Sequence, residues 1–267
     1  MGVIFSNIIA IYRRELQSYF VSPLAYAIAG IFWFLAGLFF VIILQDILQF
    51  VNNLDIQGQQ FPGSVPPFDV PYEFVRAFLD RMGWLLLFIL PVLSMSLYAE
   101  ERKRGTLELL ATSPITNWAV AVGKLLGVLT FFIAMVVPMM IFEAIVLSAA
   151  SPAISPGIIF LGHLALILLA GAILSIGMFI SSLTDSTILS AVLTFAVILL
   201  LLFVDLIATN IGGFAGDVLG HLSLLKHYNN LIQGIFDTSS LILFFSYIVL
   251  GIFLTAQSID ALRFQRQ

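Results

Sequence analysis

Residues 157–180 read GIIFLGHLALILLAGAILSIGMFI, a run with no Asp, Glu, Lys or Arg in which His163 is the one ionisable side chain. Crossing the hydrocarbon core of a bilayer takes about 20 mostly apolar residues in a helix. A helix on the surface of a water-soluble protein would need a charged or polar face, and this run has none. It reads as a membrane-spanning helix.

Working outward, the same pattern recurs at residues 23–45, 83–99, 115–147, 187–204 and 241–258. The 83–99 stretch is short and interrupted by Pro91. The 115–147 stretch exceeds one crossing, which calls for tilt or an extended end. The expected fold is an all-α integral membrane protein with six transmembrane helices. Composition agrees: 61% of the 267 residues are hydrophobic and only 10% are charged. Soluble domains carry roughly 25% charged residues. The mean hydropathy is +1.10.

Local helix-start chemistry supports these limits. Ser22-Pro23, Ser113-Pro114 and Ser155-Pro156 each put a hydroxyl before a proline at the head of a span. The missing proline N–H costs nothing there, because that donor has no helical partner in any case. Asp185 is expected to cap the fifth span.

Basic residues set the orientation. Arg13, Arg14, Arg102, Lys103, Arg104, Lys124, Arg263 and Arg266 fall on one side, against Arg76, Arg81 and Lys226 on the other. The richer side is expected to face the cytoplasm, and an even number of spans puts both termini there. The apolar stretch ahead of Arg13 and Arg14 reverses the charge order of a cleavable signal peptide, so the N-terminal segment is expected to be retained.

Three segments are neither spans nor simple loops. Residues 1–22 suit an interfacial helix, with Ile8, Ile11, Tyr12, Leu16 and Tyr19 on one arc and Glu15 set anomalously within it. Residues 46–82 read as an outer loop whose last part forms a short surface helix. Residues 205–240 read as two short re-entrant helices on the outer side, their irregular backbone buried against protein.

The most informative stretch is the expected cytoplasmic connector: Glu100, Glu101, Arg102, Lys103 and Arg104, then Gly105, Thr106, Leu107, Glu108, Leu109, Leu110, and Ser113-Pro114. Gly105 permits a sharp turn. Thr106 can cap a new helix, Glu108 suits its positive end, and Pro114 stops it. The expected result is a short amphipathic coupling helix, with Leu107 and Leu110 on one face, tied to the second and third spans. An ordinary loop that only fixes topology is the plainer alternative.

These residues resemble the connector of ABC-2 type transporter permeases, and among them the gliding-motility and nitrous-oxide-reductase-maturation permeases. Tyr12-Arg13-Arg14-Glu15-Leu16 with Ser22-Pro23, and residues 222–247 with His227, Tyr228, Gly234 and Asp237, resemble the same family. The resemblance implies a permease subunit in a bacterial inner membrane. It further implies a separate cytoplasmic ABC ATPase subunit seated on residues 100–110 and a second permease chain, identical or not, completing the core. ATP and Mg would belong to the partner, with no cofactor in this chain.

The sequence offers no phosphate-cradling loop of its own. Gly123-Lys124 is followed by Leu125 and has Trp118 where the first glycine belongs. A net charge of −4 argues against nucleic acid, and the absence of cysteine excludes thiolate chemistry. Neither His-Glu-x-x-His nor Gly-x-Ser-x-Gly occurs, so no enzymatic activity is expected. A stand-alone secondary carrier would need central charges and paired broken helices, for which only Pro91 and Pro138 speak.

Glu143 and His163 lie at membrane depth and are the candidate pathway residues. Because both are near span ends, an outer-leaflet pair or residues touching interfacial water is the plainer reading. His221, His227 and Asp237 are poorly spaced for a metal. Gly123 and Gly127, four apart, allow a close helix approach.

Overall fold

The computed structural model describes residues 2–60, 68–107, 115–150 and 154–264. The described residues form helices α1 (Gly2–Val21), α2 (Pro23–Gln60), α3 (Val70–Ser94), α4 (Ser96–Lys103), α5 (Asn117–Ser148), α6 (Pro156–Leu183), α7 (Thr187–Ile211), α8 (Gly213–His221), α9 (Leu224–Ile232) and α10 (Thr238–Phe264). Six spans are long and apolar enough to cross a bilayer, with α3 and α4 together supplying the second. The protein is an all-α membrane protein of six spans.

Helix α6 is the central post. Of its apolar window 78% is buried, against 22% for the fifth span. Small residues explain this position: a Cβ on Gly162 would lie 2.2 Å from Leu79, and one on Gly177 would lie 2.1 Å from the Ser94 hydroxyl. Such residues let helix backbones approach where lipid supplies no hydrophobic drive for association.

Several limits differ from those the sequence suggested. The expected outer loop at 46–82 is largely helical, because α2 continues to Gln60 and α3 begins at Val70. Residues 46–60 lose apolarity but contain no proline, so the helix outlasts its greasy part. Residues 70–81 are not a separate surface helix. They are the first turns of α3, started by Asp69, whose carboxylate accepts from Tyr72 N, and they bury Phe74 and Phe78 against Phe40 of α2. The third span begins at Asn117, after an extended Thr116, and Ser113-Pro114 lies outside the described residues. Ser186, not Asp185, caps α7. The fifth span's helix runs on to Ile211, into the segment assigned to re-entrant helices, and the last begins at Thr238.

Two short helices, α8 and α9, do precede the last span. Gly212 and Gly213, both at φ 63°, turn the chain into them. Helix α9 buries Leu224, His227, Tyr228, Leu231 and Ile232, and Tyr228 gives its hydroxyl to Leu79 O of α3. Its phenol ring occupies the space that a Cβ on Gly83 would need.

Helix α1 packs closely on α5. Ile11 lies against Gly123, Glu15 against Gly127, and Tyr19 stacks on Phe131. The glycine pair does permit a close approach, and α1 is the helix that uses it.

Candidate coupling site at the basic end

The second span is a broken helix. Pro91 lacks the N–H that would reach back one turn, yet the helix passes through it and breaks four residues later, at Met95. A single hydroxyl repairs the break. Ser181 Oγ of α6 accepts from Tyr98 N and Ala99 N, each at 3.0 Å, and donates to Met95 O at 2.8 Å. The three backbone groups freed by the break are thereby satisfied inside the protein.

Beyond this stitch α4 climbs out of the core. Leu97, Tyr98 and Ala99 are buried, while Glu100, Lys103 and Arg104 are exposed. Arg104 pairs with Glu100 one turn earlier, a solvated contact worth no more than about 0.5 kcal/mol. Arg102 donates to Ser182 O at 2.7 Å and so fastens α4 to the end of α6. Gly105 sits at φ 70°, a backbone setting that disfavours side chains, and it makes the turn expected of it. Thr106 turns its hydroxyl back to Glu101 O, at 3.2 Å, and so does not cap forward. Leu107 is buried. Glu108 and Leu110, with the rest of the stretch expected to form a coupling helix, lie outside the described residues.

Lys124 counts toward the charge of the basic end, and the structure shows what holds it there. It lies inside α5, with only 6% of its side chain exposed. Its ammonium group donates to Leu97 O at 2.7 Å, to Glu101 at 3.0 Å and to Glu15 at 3.4 Å. It also stands 4.9 Å above the Tyr98 ring, a cation–π arrangement. One cation therefore joins α1, α4 and α5. Two signals in the sequence pointed here: an acid in the apolar arc of α1, and a lysine inside an apolar span. Each is costly alone, and together they neutralise each other.

Beside this junction a polar cavity of about 480 Å³ opens, lined by Arg14, Glu15, Ser18, Ser96, Glu100, Glu101, Arg104 and Lys124 among others. At its wall, burial first and then the Glu15 charge push the Tyr19 phenol well above its ordinary value. The phenol stays a donor, to Leu93 O at 3.1 Å. Asn117 completes the floor of this end by donating to Asp260 of α10 at 2.6 Å.

At the opposite end Glu143 and His163 are fully buried and face each other, with His163 Nε2 3.3 Å from a Glu143 carboxylate oxygen. They form a pair enclosed by the protein. His227 is committed elsewhere, with Nδ1 2.8 Å from Ser240 Oγ and Nε2 3.2 Å from His221 O.

The ABC-2 family transporter protein profile matches residues 28–267, from the first span to the end of the chain. No curated protein matches the chain significantly. A profile that embraces all six spans, the broken second helix and the paired short helices before the last one leaves a single assignment: the chain belongs to the ABC-2 family of transporter membrane proteins.

Proposed function

We propose that this permease subunit is driven by ATP hydrolysis on a separate ATPase subunit. The ATPase seats on the 100–110 segment, on Glu100, Glu101, Arg102, Lys103, Arg104, Gly105, Thr106, Glu108 and Leu110, over the buried Leu107. The basic end lies in the cytoplasm, with both termini there, and the membrane is a bacterial inner membrane. A second permease chain completes the core. The observation that carries this reading is the Lys124 junction: whatever moves α4 must also move α1 and α5 through Lys124, and α6 through Arg102 and Ser181. A partner pressing on the exposed end of α4 would thus reach four helices at once.

The test exchanges the exposed pair, Glu100→Arg with Arg104→Glu. This keeps net charge and an intrahelical ion pair while inverting what a partner meets. The tagged full-length chain is expected to lose its co-purifying ATPase and the associated ATP turnover, with its melting temperature unchanged. Wild-type co-elution and turnover in both this variant and Gly105→Pro would reject the proposal.

A second reading has one observation in its favour. Helix α2 is 38 residues long, about 57 Å at the helical rise, nearly twice the hydrocarbon thickness. Its polar end projects at the face opposite the basic one, where it would suit mechanical work on an outer protein. Cross-linking from residues 46–60 to an outer-side protein distinguishes this from solute export.

A further inference from the structure

The Glu143–His163 pair has no part in the coupling site, and its hydrogen count is constrained by geometry. His163 Nδ1 lies 2.8 Å from Ile159 O. A carbonyl can only accept, so Nδ1 carries a hydrogen. In a neutral ring Nε2 is then a lone pair, and it faces a carboxylate oxygen that, if ionised, also only accepts. The separation is 3.3 Å, slightly long for a hydrogen bond, and neither atom has another partner among the described residues. Two facing lone pairs repel unless a proton lies between them. An imidazolium with a carboxylate would supply that proton, but it would leave a buried anion whose oxygens receive no other hydrogen bond among the described residues. That arrangement is costly in a dry interior.

We infer that Glu143 and His163 hold one proton between them as a neutral acid–imidazole pair, a buried proton-binding site that ties α5 to α6 and yields its proton only when that interface admits water. The surrounding elements supply no competing partner among the described residues. On α3, Glu73 pairs with Arg76 at 3.6 Å and Asp80 with Arg81 at 3.7 Å, both partly solvated. On α9, Tyr228 spends its hydroxyl on Leu79 O, Lys226 is exposed, and His227 is held by Ser240 and His221. Asp237, ahead of α10, is bound by Ser239. Asp46 and Asp55 of α2 are exposed.

The proton count gives the sign of the pH dependence. The closed pair binds one proton. Once water reaches both groups, Glu143 titrates near about 4.3 and His163 near about 6.5. Between those values the open state also binds one, so closure is independent of pH. Above about 6.5 the open state binds none, and opening is favoured by up to about tenfold per pH unit. Glu143→Gln retains a donor toward Nε2 without the proton. Its closed state binds none, so its stability is flat above about 6.5 and falls as pH drops below it.

The experiment compares thermal stability of the full chain in detergent against pH for wild type and Glu143→Gln, so that contributions common to both cancel. The expected result is that wild type loses stability above about pH 6.5 while the variant does not, with the opposite relation below it. Parallel profiles overturn the inference. Nitrogen-15 solid-state NMR of histidine-labelled wild type, assigned with His163→Gln, gives an independent answer if Glu143→Gln fails to fold. His163 is expected as a neutral ring protonated at Nδ1 and not titrating between about pH 5 and 8. An imidazolium signature, or titration in that window, overturns it.

Discussion

Replacing Lys124 by Met would leave Glu15 and Glu101 facing each other without the cation between them. Removing one partner of a buried ion pair costs about 3–5 kcal/mol. Lys124→Met is therefore expected to lower the melting temperature strongly, and adding Glu101→Gln should recover part of the loss by removing one stranded charge. A double-mutant cycle of the two substitutions in detergent reads the coupling directly. Ser181→Ala tests the stitch across the broken second span. It orphans two backbone N–H groups and one carbonyl, at about 1–3 kcal/mol per buried unsatisfied group, and hydrogen exchange at Tyr98 and Ala99 should accelerate. Ser181 does not announce this work in the sequence. Ser181 is one of several serines on α6, and its role depends on where α4 breaks.

At the scale of elements, α1 is held to α5 through glycine. Gly127→Leu puts a side chain where Glu15 already lies, since a Cβ there would be 2.8 Å from Glu15 Cβ. Overpacking of this kind costs about 1–3 kcal/mol, and α1 is expected to lift away and become cleavable by protease. A second prediction concerns α9. Burial, chiefly, lowers the His227 pKa from its ordinary 6.5. His221 O can only accept, so Nε2 carries the hydrogen and Nδ1 accepts from Ser240. An unfolded His227 takes a proton that the folded one resists, so its contribution to stability is complete above the unfolded value and is lost as pH falls below about 6.5. The acid-side fall in melting temperature should shrink in His227→Gln.

The spans themselves were legible because lipid demands uninterrupted apolar runs, and the short helices α8 and α9 because their glycines and brief apolar patches allow little else. The end of α2 was not legible, since apolarity marks where lipid stops and says nothing of where a helix stops. Pro91 suggested an interruption, but the break falls at Met95, where Ser181 is available to satisfy the freed groups. Lys124 was legible as a cation within an apolar span, but its partners Glu15 and Glu101 come from distant stretches that only packing brings together. The meeting of Glu143 and His163 depends on the rotation of α5 against α6, a property of packing that no single stretch of sequence carries.

For the molecule as a whole, charge bias along the chain and contacts within the bundle sort the same segments to the same two ends. Helix α1, the start of α5 and the ends of α4, α6 and α10 gather at the basic end. Tyr228 with Leu79, and Tyr72 with Gln233, mark the other. The two sites are divided accordingly, with the Lys124 junction at one end and the Glu143–His163 pair near the other.

The enclosure of Lys124 makes it a clock. The chain has three lysines, and Lys103 and Lys226 are exposed while Lys124 is sealed. An amine-acylating reagent should modify the first two quickly and reach the third only while α1 or α4 has moved off it, so peptide mass spectrometry would time that motion. Addition of the proposed ATPase partner and nucleotide should change the rate at Lys124 and leave the rate at Lys226 alone. Equal labelling of all three from the outset would show that the junction stands open at rest.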